Sequence, residues 1–284
     1  MSSTATAAWA ARFSGAVDFR RSFAPRPGIS HVLFDFDGTL SLIREGWPDV
    51  MAPMFAAYLP PLPGETEAQR RQLALDDIMR LNGKQTIYQM IQLAERITAR
   101  GGQPREPLWY KHEYLRRLDE RIAARLTGLQ SGALKPDDLL VHGAHGLMEE
   151  LRRHKLAIYL ASGTDEHFVK NEAALLGLTE FFGPHIYGAL DDYKKFSKKM
   201  VIERILKENA IPGAQLLAFG DGYVEIENTK EVGGLAVAVA SDEANNGSGR
   251  FDKWKHQRLT GVGADVVIPD YRDARTLLDI ILGT

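Results

Sequence analysis

His31-Val-Leu-Phe-Asp-Phe-Asp-Gly-Thr-Leu40 drives an apolar run into two carboxylates, Asp35 and Asp37, with Gly38 and Thr39 immediately after. Val32, Leu33 and Phe34 show no polar alternation, which predicts a strand buried on both faces, as in a parallel sheet. Gly38 then lets the backbone turn away. Open α/β sheets bind ligands at the carboxyl ends of their strands. Two acids at such an end, separated by one residue, point to an active site rather than a helix cap.

Beyond Thr39 the period changes. Trp47, Val50, Met51, Met54, Phe55 and Tyr58 follow the i, i+3, i+4, i+7 spacing of an amphipathic helix. Leu59-Pro-Pro-Leu-Pro-Gly64 stops that helix. Ile87, Met90, Ile91 and Ala94 mark a second, ended by Gly101-Gly102, and Leu115, Leu118, Ile122 and Leu126 mark a third. Residues 42–140 are thus expected to be all-helical. From His142 helices and strands alternate. Leu147–His154, Glu166–Leu176 and a segment capped by Ser197 and running to Asn209 read as helices. Leu156–Ala161, His185–Gly188, Gln215–Phe219, Leu235–Ala240 and Asp265–Ile268 read as strands. This alternation predicts an α/β protein with a doubly wound parallel sheet, built from residues 29–41 and 141–284 around the helical insertion. Residues 1–28 form an N-terminal extension. It is Ala-rich, holds Arg12, Arg20, Arg21 and Arg26, and lacks the apolar stretch of a secretory signal. A poorly ordered leader or a short helix packed on the core is expected there, although the composition loosely resembles a transit peptide.

Composition narrows the function classes. A hydrophobic content of 44% over 284 residues describes an ordinary globular chain able to bury a large core. The formal net charge of −2 provides no polybasic signature for nucleic acid or an anionic membrane. No apolar run approaches the ~20 residues of a membrane span. The absence of cysteine excludes disulfides, thiolate metal sites and a cysteine nucleophile, and fits a cytoplasmic setting.

The strand ends then supply the chemistry. Asp35 and Asp37, Ser162, a lysine near 198 and Asp221 all fall where strands of the sheet run out into one crevice. Carboxylates gathered without His or Cys favour a hard cation, Mg²⁺ above all. Of two acids beside such a cation, one can attack an electrophile while the other moves a proton. His31, His142 and His145 have no spacing partner that would make a metal site and are expected to be structural.

Taken in order, these stretches resemble the four motifs of the haloacid dehalogenase superfamily. Asp35-Phe36-Asp37-Gly38-Thr39 resembles the first and Leu160-Ala161-Ser162-Gly163 the second. A lysine before the helix at Lys199–Asn209 resembles the third, and Gly220-Asp221-Gly222-Tyr223-Val224-Glu225 the fourth. The chain looks like the phosphoglycolate-phosphatase-like members, which carry a helical cap between motifs one and two. That likeness implies a Mg²⁺-dependent phosphatase acting on a small phosphorylated metabolite, a sugar or organic-acid phosphate, through an aspartyl-phosphate. By the same likeness Asp35 is the nucleophile and Asp37 the acid and base. Ser162 and Lys198 hold and screen the phosphate, Thr39 and Gly163 join Ser162 in binding substrate, and Asp35, Asp37, Asp221 and Glu225 surround the metal. Lys198 is preferred because Ser197 would cap its helix, with Lys195 and Lys199 as alternatives. Glu225 replaces the commoner Asp, so it either serves the metal or is a solvent-facing acid in a first helical turn. Arg44 and Lys84, in the segment leading into the insertion and in a break within it, are candidates for contacting substrate. The alternatives are a phosphomutase of the same fold or a catalytically silent binding module. Asp37 argues against the dehalogenase branch, which lacks this acid.

Overall fold

The computed structural model describes residues 3–284; Met1 and Ser2 of the expected extension lie outside the described residues. A seven-stranded sheet organises the chain: β1 (Asp18–Phe19), β2 (His31–Phe34), β3 (Ala157–Asp165), β4 (Ile186–Ala189), β5 (Leu216–Gly220), β6 (Leu235–Val239) and β7 (Val266–Ile268). Their spatial order is β1-β7-β6-β5-β2-β3-β4, parallel throughout except where β1 meets β7. Because β2 lies between β3 and β5, Val32, Leu33 and Phe34 are covered on both faces and by both neighbours. That placement explains the unbroken apolar run.

Helix α1 (Ser3–Ala10) precedes β1, and Trp9 packs its ring against Phe19 and Phe23 at 5.6 and 5.2 Å. Four helices form the insertion that follows β2: α2 (Pro48–Tyr58), α3 (Glu67–Arg80), α4 (Thr86–Ala99) and α5 (Pro107–Ser131). Their buried stripes, including Met54 and Phe55, Met90 and Leu93, and Leu118 and Ile122, join the core on one face of the sheet. The remaining helices alternate with strands. They are α6 (Ala144–Arg153), α7 (Glu166–Leu175), α8 (Thr179–Phe182), α9 (Lys198–Glu208), α10 (Tyr223–Glu231), α11 (Lys253–Gly261) and α12 (Ala274–Leu282). α9 packs Val201, Ile202 and Ile205 on the opposite face, against Leu33, Tyr159 and Ala218. No helix among the described residues is long and apolar enough to cross a membrane.

β1, only two residues long, was not expected from the sequence, and two larger elements also differ from that reading. α3 was not expected, because it buries only Ala74, Asp77 and Ile78 and so shows a thin apolar stripe. Its start is nevertheless written in the sequence. The Thr66 hydroxyl accepts from the Gln69 amide at 3.2 Å, and the Gln69 side chain accepts from Thr66 N–H at 2.8 Å. The other difference is β3, which runs past Ser162-Gly163 to Asp165 with a register shift between Ala161 and Asp165. Thr164 therefore belongs to the strand end, not to the cap of α7.

Register sets the site. Phe34 pairs with Leu160 on one side and Phe219 on the other. One or two residues beyond this paired row, the three strands present Asp35, Ser162 and Asp221 side by side. Residues 186 positions apart in the chain meet at one edge of the sheet.

Candidate active site

Asp35, Asp221 and Glu225 are all buried, and each offers a carboxylate oxygen within 4.8 Å of the other two. Asp35 follows β2 directly, Asp221 follows β5, and Glu225 stands in the first turn of α10. Glu225 is not solvent-facing. One oxygen accepts from Gly222 N–H at 2.6 Å and the other from Lys198 Nζ at 2.9 Å. The same ammonium lies 2.7 Å from Asp35 Oδ2. Lys198 reaches this position because Ser197 caps α9, its hydroxyl accepting from Met200 N–H at 3.1 Å. Lys195 instead pairs with Asp192 and Lys199 with Glu231, both on the surface. Gly38 has φ +71, and a Cβ there would lie 2.3 Å from Asp221 Oδ2. Only glycine lets this loop pass so close to the acids.

Asp37 stands apart from that trio, so its carboxylate is not grouped with the other expected metal ligands. The reason is its partners. Oδ2 accepts from the Thr164 hydroxyl at 2.7 Å, while Oδ1 is buried without a hydrogen bond, 3.8 Å from Arg44 Nε. Arg44 in turn grips Glu172 of α7, with Nη2 at 2.6 Å and Nε at 3.1 and 3.2 Å from its oxygens. The guanidinium considered for substrate is thus already paired. Lys84 is exposed at the cleft, its ammonium 5.7 Å from the Tyr88 ring centroid. Ser162 and Gly163 line the cleft, and the Ser162 hydroxyl accepts from Thr164 N–H. Thr39 is fully buried and ties two loops together, its hydroxyl accepting from Asp221 N–H at 2.9 Å.

Sequence reasoning missed Lys255. Its ammonium lies 2.8 Å from Asp221 Oδ2, 2.6 Å from Glu243 Oε1 and 3.0 Å from the Ser241 hydroxyl, which donates to Gly38 O. Lys255 follows no motif. The only signal is its place one turn before buried Leu259 on α11, the side that faces inward.

The electrostatics follow from burial. Desolvation raises Asp35 well above the usual carboxylate range; Lys198 opposes this, while Glu225 and Asp221 add to it. Asp37 is pushed up to about 6 by desolvation, against the pull of Arg44 and with repulsion from Glu172. Asp221 is also raised, first by burial, with Lys255 opposing and Glu243 and Glu225 adding. Lys198 and Lys255 are both held above the ordinary lysine range by their carboxylates, which outweigh the opposing effect of desolvation. Around the cleft Asp35, Asp37, Glu172, Asp221, Glu225 and Glu243 face Lys198, Lys255 and Arg44. Carboxylates outnumber cations, and the grouped donors are all oxygen. The set fits a hard divalent cation such as Mg²⁺. The cleft is partly open to solvent, with Trp47, Met51, Gln89 and Tyr114 of the helical insertion among its lining residues.

A parallel sheet with this edge, and helices inserted after its first central strand, defines a class of α/β hydrolases. Residues 29–233 match the family model for haloacid dehalogenase-like hydrolases, and the chain belongs to that family. No curated protein sequence matches it. Solved structures with the same fold include a family hydrolase from Deinococcus radiodurans with bound phosphate and sodium (17% identity, TM-score 0.54, covering 89% of this chain and 96% of that one). Another is a "predicted phosphoglycolate phosphatase" from Haemophilus somnus (14%, 0.56, 88% and 98%). A third is a β-phosphoglucomutase from Clostridium difficile (13%, 0.54, 86% and 92%). Lys255, Glu243 and Ser241 lie beyond the stretch matched to the family.

Proposed function

We propose that the protein is a Mg²⁺-dependent phosphatase of small phosphorylated metabolites, sugar or organic-acid phosphate monoesters, working through a phosphorylated Asp35. The observation that carries this reading is the division between the two acids after β2. Asp35 belongs to the buried trio and touches Lys198, whereas Asp37 is held separately at the cleft wall. This division supports a reading in which Asp35 attacks and Asp37 moves a proton.

In the first step an Asp35 oxygen attacks phosphorus, the P–O bond to the leaving group breaks, and Asp37 gives its proton to the departing oxygen. In the second, Asp37 takes a proton from water as that water attacks phosphorus, freeing phosphate and the Asp35 carboxylate. Lys198, together with Ser162 at the end of β3, receives the phosphoryl oxygens. Asp35, Asp221 and Glu225 would hold Mg²⁺, which supplies charge to offset repulsion between the carboxylate and the phosphoryl oxygens. Residues 42–140 act as a cap that closes the cleft to water. Lys84, Ser162 and Lys198 line the cleft and suit a small anionic ligand, and the neighbour from Deinococcus radiodurans binds phosphate. The lack of cysteine is consistent with work in the cytoplasm.

The test is a screen of phosphorylated metabolites for released phosphate, ranked by kcat/KM. Asp35→Asn is expected to abolish turnover while the fold, followed by circular dichroism, is kept. Chelation is expected to stop the reaction, with Mg²⁺ restoring it and Ca²⁺, whose coordination is looser, restoring little. Undiminished phosphate release by Asp35→Asn overturns the mechanism. Isomerisation of a sugar phosphate without phosphate release assigns the chain to the mutases instead.

A further inference from the structure

We propose that Glu172 and Arg44 form a buried brace that positions Asp37 for proton transfer to the leaving oxygen, and that Arg44 does not contact the substrate. This rests on the reading of Asp37 as the proton donor. The side chains of Arg44 and Glu172 are 6% and 3% exposed, so neither has the freedom of a surface pair. Glu172 takes both Nε and Nη2 of the guanidinium, a two-pronged grip that fixes its plane. The Nε edge then abuts Asp37 Oδ1 at 3.8 Å, beyond hydrogen-bond length but close enough for a strong charge contact.

On the other side, the Thr164 hydroxyl donates to Oδ2. Oδ1 is buried without a hydrogen bond, while the Asp37 side chain as a whole keeps 24% of its surface and lines the cleft. The carboxylate is thereby clamped between the end of β3 and a guanidinium locked to α7. A general acid works only when its proton is held in line with the departing oxygen, and small misplacements are costly. In the reaction the P–O bond to the leaving group breaks and that oxygen takes the Asp37 proton. A brace acting on this transfer therefore matters in proportion to how much the leaving group needs a proton.

That dependence is the readout. The first turnover is followed with p-nitrophenyl phosphate, whose leaving group departs without a proton, and with butyl phosphate, whose alkoxide needs one. The variants are Glu172→Gln, which weakens the grip, and the double variant Arg44→Met with Glu172→Leu, which removes the pair without leaving either charge alone in the interior. Each is expected to slow butanol release at least about tenfold more than nitrophenolate release, mainly in kcat. Equal losses on the two esters, or a loss confined to KM for both, overturn the brace and return Arg44 to a structural or substrate-binding role. Asp37→Asn runs beside them and is expected to show the same ester preference, more strongly. If it slows both esters alike, the reading of Asp37 as proton donor fails, and the brace with it.

Discussion

Both oxygens of Glu225 are engaged, one with the Gly222 amide and one with Lys198, and the side chain is also a member of the acid trio. These roles can be separated by substitution. Glu225→Ala orphans the buried Gly222 N–H and removes one of two partners of Lys198, so a loss of about 1–3 kcal/mol is expected. Glu225→Gln keeps an oxygen for Gly222 and is expected to recover much of that stability while still binding Mg²⁺ more weakly. Urea unfolding and calorimetric Mg²⁺ titration report the two effects independently. Undiminished Mg²⁺ affinity in Glu225→Gln would confine Glu225 to holding Lys198. The sequence left this residue open between metal and solvent, because a first-turn acid looks alike in both. The same limit applies to Lys255 and Thr164. Asp35, Asp37 and Asp221 were legible because motif and strand end coincide, whereas Lys255 comes from a helix 34 residues beyond Asp221 and carries no local pattern. Thr164 escaped notice as a site residue because the strand was expected to stop at Ala161, and the extra residues of β3 turn its hydroxyl to Asp37.

At the level of elements, β2 carries the most. Phe34 is fully buried, its ring stacked on Phe219 at 4.8 Å between centroids and edge-on to Phe182 at 6.3 Å. Phe34→Ala would leave a ring-sized void between β2, β5 and α8, and a loss of about 3–5 kcal/mol is expected in urea unfolding. That is a large part of the roughly 5–15 kcal/mol typical of folded proteins. A loss below 1 kcal/mol would mean that the sheet is not packed as described. The strands were readable because a parallel sheet demands continuous apolar runs, and these stand out against helical spacing. β1 was not, since two residues are too few for any period. α3 was missed for a different reason: its polar surface hides the helical period, and only the reciprocal bonds of Thr66 and Gln69 announce it.

Across the whole molecule, the helical insertion is seated on the strand-end loops by close backbone approach. A Cβ on Gly163 would meet Lys84 O at 2.8 Å, and one on Gly222 would meet Gly83 Cα at 2.8 Å. Gln85 donates to Tyr193 O and Phe196 O, and Arg258 donates to Arg80 O across the same seam. This seating shields the cleft, and shielding strengthens the repulsion among its surplus carboxylates. A cation bound there from solvent should therefore stabilise the fold by mass action, by about 2.7 kcal/mol at one hundred times its Kd. The expected result is a rise of several degrees in Tm on adding Mg²⁺, beyond what matched ionic strength from NaCl produces. Asp221→Asn should lose that rise because one oxygen donor of the trio is gone. Lys195→Ala, which alters only a surface pair, should keep it. An equal rise in Asp221→Asn would place the cation elsewhere and detach the acid trio from the metal.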